Sequence, residues 1–225
     1  MKKILLFCCL SAILLLPRPV SGSEDYTELF SRYFSGKIKA ESVLAVLSAE
    51  NDDLRRGAIP NLTVCIEKAP IDGVTYERLL LVLTDVLFTW DGHRLNILSH
   101  REAKLSGNIA RSEFLASLKR NMPHFAVSEL SLKDGAVTVK GVYEKKLTFR
   151  MRALVRCTGR YVTDKRGVAK IRFDEATNDN PMLSARDISE SLAKASPILS
   201  FASFYVQPKV TEVRVDHDMV WFSAK

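Results

Sequence analysis

Apolar residues recur along this chain in two rhythms, and the switch from one to the other predicts its elements. Tyr26, Leu29, Phe30, Tyr33 and Phe34 are spaced by three and four, which is one face of a short amphipathic helix ended at Ser35-Gly36-Lys37. Val43, Leu44, Val46 and Leu47 read as a second helical stripe that fades into Glu50-Asn51-Asp52-Asp53. Core packing is the first reading of both stripes. The first stripe, stopped early, could instead lie on a lipid surface.

From Asn61 the period falls to two. Leu62, Val64 and Ile66 alternate with Thr63, Cys65 and Glu67, and Pro70 closes the strand. Arg78 to Trp90 is β-prone and apolar on both parities, with Leu79, Leu81 and Leu83 set against Leu80, Val82, Val86 and Phe88. Such a strand is covered on both faces, or faces an apolar cavity on one of them. Asp91-Gly92 turns the chain into Leu95–Leu98, and a short stretch from Ala103 to Ile109 follows. Ser112 opens a helix with Phe114, Leu115 and Leu118 on one side, stopped by Asn121 and Pro123. A hairpin turns at Asp134-Gly135. Beyond it, Leu147, Phe149, Met151, Ala153, Val155 and Cys157 share one strand face, with Thr148, Arg150, Arg152, Leu154, Arg156 and Thr158 on the other. Val168 to Phe173 is another strand, Ser184 to Asp187 a capping box before a helix bearing Ile188, Leu192 and Ala195, and a final hairpin turns at Asp216-His217-Asp218. Many strands and few single-stripe helices predict an α+β fold, an elongated curved antiparallel sheet or half-barrel wrapped around a few short helices.

The N-terminus changes the picture. Lys2-Lys3, an apolar run from Ile4 to Leu16 and small residues up to Gly22 have the three parts of a secretory signal, with cleavage expected after Gly22. The run is shorter than the roughly 20 residues a spanning helix needs. An uncleaved anchor is the alternative. The expected organisation is a signal at 1–22, an N-terminal helical segment at 23–59 and one domain at 60–225, in the periplasm or otherwise outside the cytoplasm. Losing Lys2, Lys3 and Arg18 lowers the net charge from +7 to +4, and the remaining charge is interspersed. Of four cysteines, Cys8 and Cys9 leave with the signal. Whether Cys65 and Cys157 pair is not written in the sequence.

Candidate chemistry is sparse. There is no G-x-S-x-G, no phosphate-binding glycine loop and no cysteine beside a histidine. His93, His100, His124 and His217 lack the spacing of a zinc site, so no metal or other cofactor is expected. Nothing singles out a pair of carboxylates, and the protein is expected not to be an enzyme. Arg150, Arg152 and Arg156 project from one strand side, with Lys140, Lys145 and Lys146 on the preceding arm. Guanidinium forks at this spacing suit phosphate oxygens, and a solvated face balanced by neighbouring carboxylates is the plainer reading. No aromatics interleave with them for base stacking, so a nucleic-acid partner is not expected.

One resemblance adds to this reading. The order "ERLLLVLTDVLF", "HRLNIL", "EAKLSGNIARSEFLASL", "VSELSLKDGAVTVKG", a strand ending "GRYV", "VAKIRF" and the closing "VQPKVTEVRVDHDMVWFSA" resembles the LmeA-like phospholipid-binding family of bacterial envelope proteins over roughly residues 60–225. The resemblance implies a sheet similar to the tubular lipid-binding fold, an apolar groove for acyl chains, and lipid binding or transfer in the envelope. The aromatic segment from Tyr26 to Phe34 departs from that pattern, and no headgroup ligand carries across. The expected function is therefore a monomeric phospholipid-binding protein that meets the membrane surface transiently. Acyl chains are expected against Leu81, Leu83, Phe149 and Met151, with Arg150, Arg152 or Arg156 near a phosphate. The alternative is an envelope scaffold that binds a protein or an acidic glycan through the basic face.

Overall fold

Every ladder among the described residues is antiparallel, and three of the hairpins there close in two residues. The computed structural model describes residues 23–146 and 150–225, so the signal pattern and the positions Leu147, Thr148 and Phe149 lie outside the described residues. β2 (Ala58–Ile71) turns into β3 (Val74–Trp90) through Asp72-Gly73, and β6 (Phe125–Lys133) into β7 (Ala136–Lys146) through Asp134-Gly135. β10 (Val210–Asp216) turns into β11 (Met219–Ala224) through His217-Asp218. All six turn residues have positive φ, the mirror-image turn whose twist matches that of paired strands.

The strands form two sheets, neither closed into a barrel, with a few short helices. The larger runs β1-β2-β3-β5-β11-β10, where β1 is Ser42–Ser48 and β5 is Glu102–Ala110, and β4 (Leu95–Ser99) pairs with the end of β3. The smaller runs β6-β7-β8-β9, with β8 at Arg150–Thr163 and β9 at Ala169–Asn178. The expected α+β class with antiparallel strands is thus found, its sheet divided in two. The division is bridged by backbone: Gly135 N–H donates to Val215 O at 2.9 Å, Asp218 N–H to Leu132 O at 3.1 Å, and Val210 N–H to Gly167 O at 3.0 Å. These bonds occupy the outer edge of β10, which would otherwise offer unpaired groups to another chain.

Helix α1 (Ser23–Ser35) buries Phe30 and Phe34 completely, so its apolar stripe packs on the core. The stripe expected to be a second helix is instead β1. Its seven residues pair without a break against β2 from Glu67 to Asn61, and ladder bonds outweigh a marginal local helix. The only helix following it in segment 23–59 is the single turn α2 (Asn51–Arg55). Ser31 Oγ accepts the Ala45 N–H at 2.9 Å, which satisfies a backbone donor on the edge of β1. Helix α3 (Arg111–Asn121) and helix α4 (Ala185–Ala195) are tied by the buried Ser117 hydroxyl, which donates to Ala195 O at 3.0 Å. The Ser184 cap forms as its sequence predicts, accepting the Asp187 N–H at 3.2 Å.

The two-sided apolar run in β3 has a different cause from the one expected. Leu79, Leu81 and Leu83 face the core, and so do Val86 and Phe88, because the parity switches at Thr84-Asp85, where Asp85 takes φ 48°. Leu80, Val82 and Leu87 point to the outer face, and Leu80 and Leu87 are exposed. Gly107 is required by close approach. A Cβ there would sit 2.4 Å from Arg78 O and 2.6 Å from Leu79 Cδ2, with the Phe222 ring beside it. We expect Gly107→Ala to lower stability by about 1–3 kcal/mol, the cost of overpacking, read as an earlier denaturant midpoint with unchanged slope. An unshifted midpoint would show that β3, β5 and β11 can spread without penalty.

Candidate functional site

Of the seven residues expected to hold lipid, the six among the described residues are distributed over three surfaces. Leu81 and Leu83 are fully buried on the inner face of the large sheet. Met151 is buried on the inner face of the small sheet, and Phe149 lies outside the described residues. Arg150, Arg152 and Arg156 are exposed on the opposite side of β8 from Met151, as strand alternation requires. The structure therefore gathers the three arginines on one face and separates them from the apolar residues by the thickness of a sheet.

That outer face of β8 is largely balanced by its neighbours. Arg150 stands 3.8 Å from Glu144, and Lys140 donates to Glu129 at 2.7 Å, holding that carboxyl below its ordinary range. Asp174 on β9 meets Arg172 at 2.9 Å and Arg160 at 3.3 Å. The hydrogen bond from Arg172, then the two positive charges, pull Asp174 below the ordinary carboxylate range. Leu154 is 61 % exposed between Arg152 and Arg156, and its ladder partner Val142 is half-buried. Cys157 and Cys65 are not joined to each other; they lie on different sheets, and burial pushes the Cys157 thiol up to about 11.

A more distinctive arrangement lies over the inner face of the large sheet. Between Pro197 and Pro208 the chain forms neither helix nor sheet ladder beyond one bridge, Leu199 to Ala169, yet it is buried at Leu199, Phe201 and Phe204. Phe201 meets Tyr76 and Phe222 with ring centroids 5.3 Å and 4.9 Å apart, and Phe204 packs edge-on against Phe201. Tyr205 meets Phe34 at 5.6 Å, and its hydroxyl lies 3.2 Å from that of Tyr33, both on α1. Burial, then the Tyr33 contact, raises the Tyr205 phenol above its ordinary range. At its far end α1 covers Phe88 through Tyr26 and Phe30. Along β3, Leu81 and Leu83 thus stand between Tyr76, which meets the irregular segment, and Phe88, which meets the helix.

The segment is pinned at both ends and loosely held between them. Tyr161 donates to Pro197 O at 3.0 Å, and Lys209 exchanges two backbone bonds with Lys225 at 2.7 and 2.9 Å. Within it, Phe204 N–H reaches Phe201 O at 3.1 Å and Gln207 N–H reaches Phe204 O at 3.2 Å, two tight turns. Ser203 adds a bond to Asp72 at the β2–β3 turn.

No family model, curated protein or solved structure matches this chain.

Beside the segment opens a groove of about 500 Å³, walled by Ile97, Leu98 and His100 on one side and Tyr205 and Val206 on the other. Leu98 is the extra residue of a β-bulge, since Leu87 pairs with Ser99 and Phe88 with Ile97, and it is 64 % exposed. Reading by periodicity missed these residues because an irregular segment has no period. The visible signal was compositional: six aromatic or branched apolar residues, Ile198, Leu199, Phe201, Phe204, Tyr205 and Val206, between two prolines. Among the described residues no group of three or more histidine, cysteine, aspartate or glutamate side chains could hold a metal ion.

The Asp174 cluster makes a pH prediction. A carboxyl lowered in the folded state adds stability above its ordinary range, and that stability disappears as pH falls through its folded-state value. Thermal midpoints of the wild type should therefore fall further between about pH 5 and about pH 2 than those of Asp174→Asn. Parallel curves for the two proteins would mean that Arg160 and Arg172 do not hold this carboxylate in solution.

Proposed function

We propose that the chain is an exported, non-enzymatic, monomeric protein of the cell envelope that binds or transfers phospholipid. An acyl chain would enter beside Leu98 and Val206 and lie under the segment between Pro197 and Pro208, against Leu81 and Leu83. The observation that carries this reading is the nature of that cover. A wide apolar sheet face is closed at one margin by rings on an irregular backbone instead of by a paired strand or a long helix.

Ring contacts of this kind contribute about 0.5–1.5 kcal/mol each beyond their burial. Each methylene of an inserted chain contributes ~0.8 kcal/mol, so a guest of ordinary acyl length offsets the loss of several such contacts. The exposed Leu98, at a bulge beside the opening, supplies apolar contact with a bilayer surface during transfer. The signal-like N-terminus and the resemblance to the LmeA-like family support the same reading. The arginines of β8 lie on another face and are not needed to hold the acyl chain; they remain available to an anionic membrane surface.

Native mass spectrometry of protein purified from membranes, and of protein incubated with phosphatidylethanolamine–phosphatidylglycerol vesicles, tests the proposal. The wild type should carry phospholipid mass in both preparations. Leu98→Asp should slow uptake from vesicles by roughly fivefold or more while leaving the thermal midpoint unchanged, because a charge at an exposed position hinders membrane contact without touching the core. A wild type that carries no lipid from either source would sink the proposal and leave a protein-binding scaffold as the reading.

A further inference from the structure

The outer face of the large sheet carries a second groove, of about 370 Å³, on the side away from the core. It is built by register. Arg78, Asn108, Trp221 and Arg214 are consecutive ladder partners on β3, β5, β11 and β10, so their side chains form one row across four strands. Leu80, Ser106, Ser223 and Glu212 form the next row by the same pairings. A bulge between Val210 and Glu212 on β10 aims Glu212 and Arg214 outward while Val213 and Val215 stay on the inner side.

Asn108 is the informative member. It is 6 % exposed, it lines the groove, and its Oδ1 has no hydrogen-bond partner. A buried amide oxygen left unpaired costs about 1–3 kcal/mol, so a hydrogen-bond donor brought to it from the groove would be favoured. Half-buried Trp221 stands beside it, and the charges around it are of both signs: Arg214 and Glu212 at one edge, with Arg78 at the other, 3.6 Å from Glu67.

We infer that this groove binds a sugar ring, as a free saccharide or a residue of a glycan. The reasoning is one of complementarity. A phosphodiester only accepts hydrogen bonds, and inorganic phosphate at neutral pH adds few P–OH donors to its charged acceptor oxygens; either would suit the arginines and be repelled by the Glu212 carboxylate. Sugar hydroxyls donate and accept, so a single ring can serve Asn108, Glu212, the two serines and a guanidinium together. The apolar face of the ring has the Trp221 indole and Leu80 to lie on. The volume falls at the small end of the range for small-molecule sites, ~300–1,000 Å³, as one or two rings require. The groove lies on the opposite face of the sheet from the interior, so the inference does not rest on the lipid reading.

Tryptophan emission gives a direct test, because the chain has two tryptophans, Trp90 and Trp221, and Trp90→Phe leaves Trp221 as the only reporter. In that background, glucose, galactose, mannose and N-acetylglucosamine, each alone and as its disaccharide, should include at least one that shifts emission saturably, with a midpoint in the millimolar range or below. Asn108→Leu, which keeps the volume and removes the amide, and Arg214→Ala should each weaken that saccharide by about tenfold, equal to about 1.4 kcal/mol. Arg214 is exposed, so its variant carries the test if Asn108→Leu does not fold. The inference is overturned if no saccharide saturates up to about 100 mM, if inorganic phosphate alone produces the shift, or if Arg214→Ala binds as tightly as its parent.

Discussion

A six-strand-wide antiparallel sheet with leucines, valines and isoleucines along one side must have that side covered, and the rest of this molecule is organised around how the covering is done. The smaller sheet does not lie across it alone. Helix α1 takes the end at Phe88, the segment between Pro197 and Pro208 takes the end at Tyr76, and Tyr205 joins the two covers by its contacts with Tyr33 and Phe34. The buried apolar side chains of both sheets form one continuous cluster, so loosening one cover is felt through a shared core. Such a cover is favourable as a whole and locally replaceable. Its rings contribute through burial and edge contacts, while its backbone has few ladder bonds to lose.

Backbone accounting explains why the cover is irregular yet stays in place. Regular structure satisfies nearly all its own donors and acceptors, so an irregular segment over an apolar face needs anchors from elsewhere. Here they come from the ends. The Leu199 bridge to β9, the Tyr161 hydroxyl on Pro197 O and the paired bonds between Lys209 and Lys225 fix the termini. The middle is left to two turns and side chains. Opening the middle would break fewer backbone bonds than opening any strand, which is where a guest has the least resistance to overcome.

Much of this was legible in the sequence, and the failures have identifiable causes. The alternation from Met151 to Cys157, the Asp134-Gly135 turn and the Ser184 cap each rest on a local rule that tertiary contacts do not contradict, and each is found. Val43 to Leu47 reads either way because a five-residue apolar stretch is ambiguous between the two periods, and the partner that decides it, β2, begins ten residues after β1 ends. In β3 the leucines gave a false impression of two covered faces, since a single left-handed residue, Asp85, exchanges inside for outside and leaves no mark in composition. The groove beside Asn108 was invisible for a further reason: its members are adjacent only across strands, and register between strands distant in sequence is not written in either one.

The two faces of the large sheet thus pose different chemical problems. The inner face is apolar almost throughout, the buried Tyr76 hydroxyl apart, so its selectivity is chiefly for shape and grease. On the outer face, the same ladders place an amide, an indole, hydroxyls and both signs of charge within one groove, and there hydrogen-bond geometry decides what fits. Because Gly107 lets Phe222 and Leu79 close beneath β5, the floor of the outer groove is also the roof of the inner core. A change that spreads β3 from β11 would disturb both at once, whereas Leu98 and Arg214, exposed at separate margins of the sheet, can be altered one at a time.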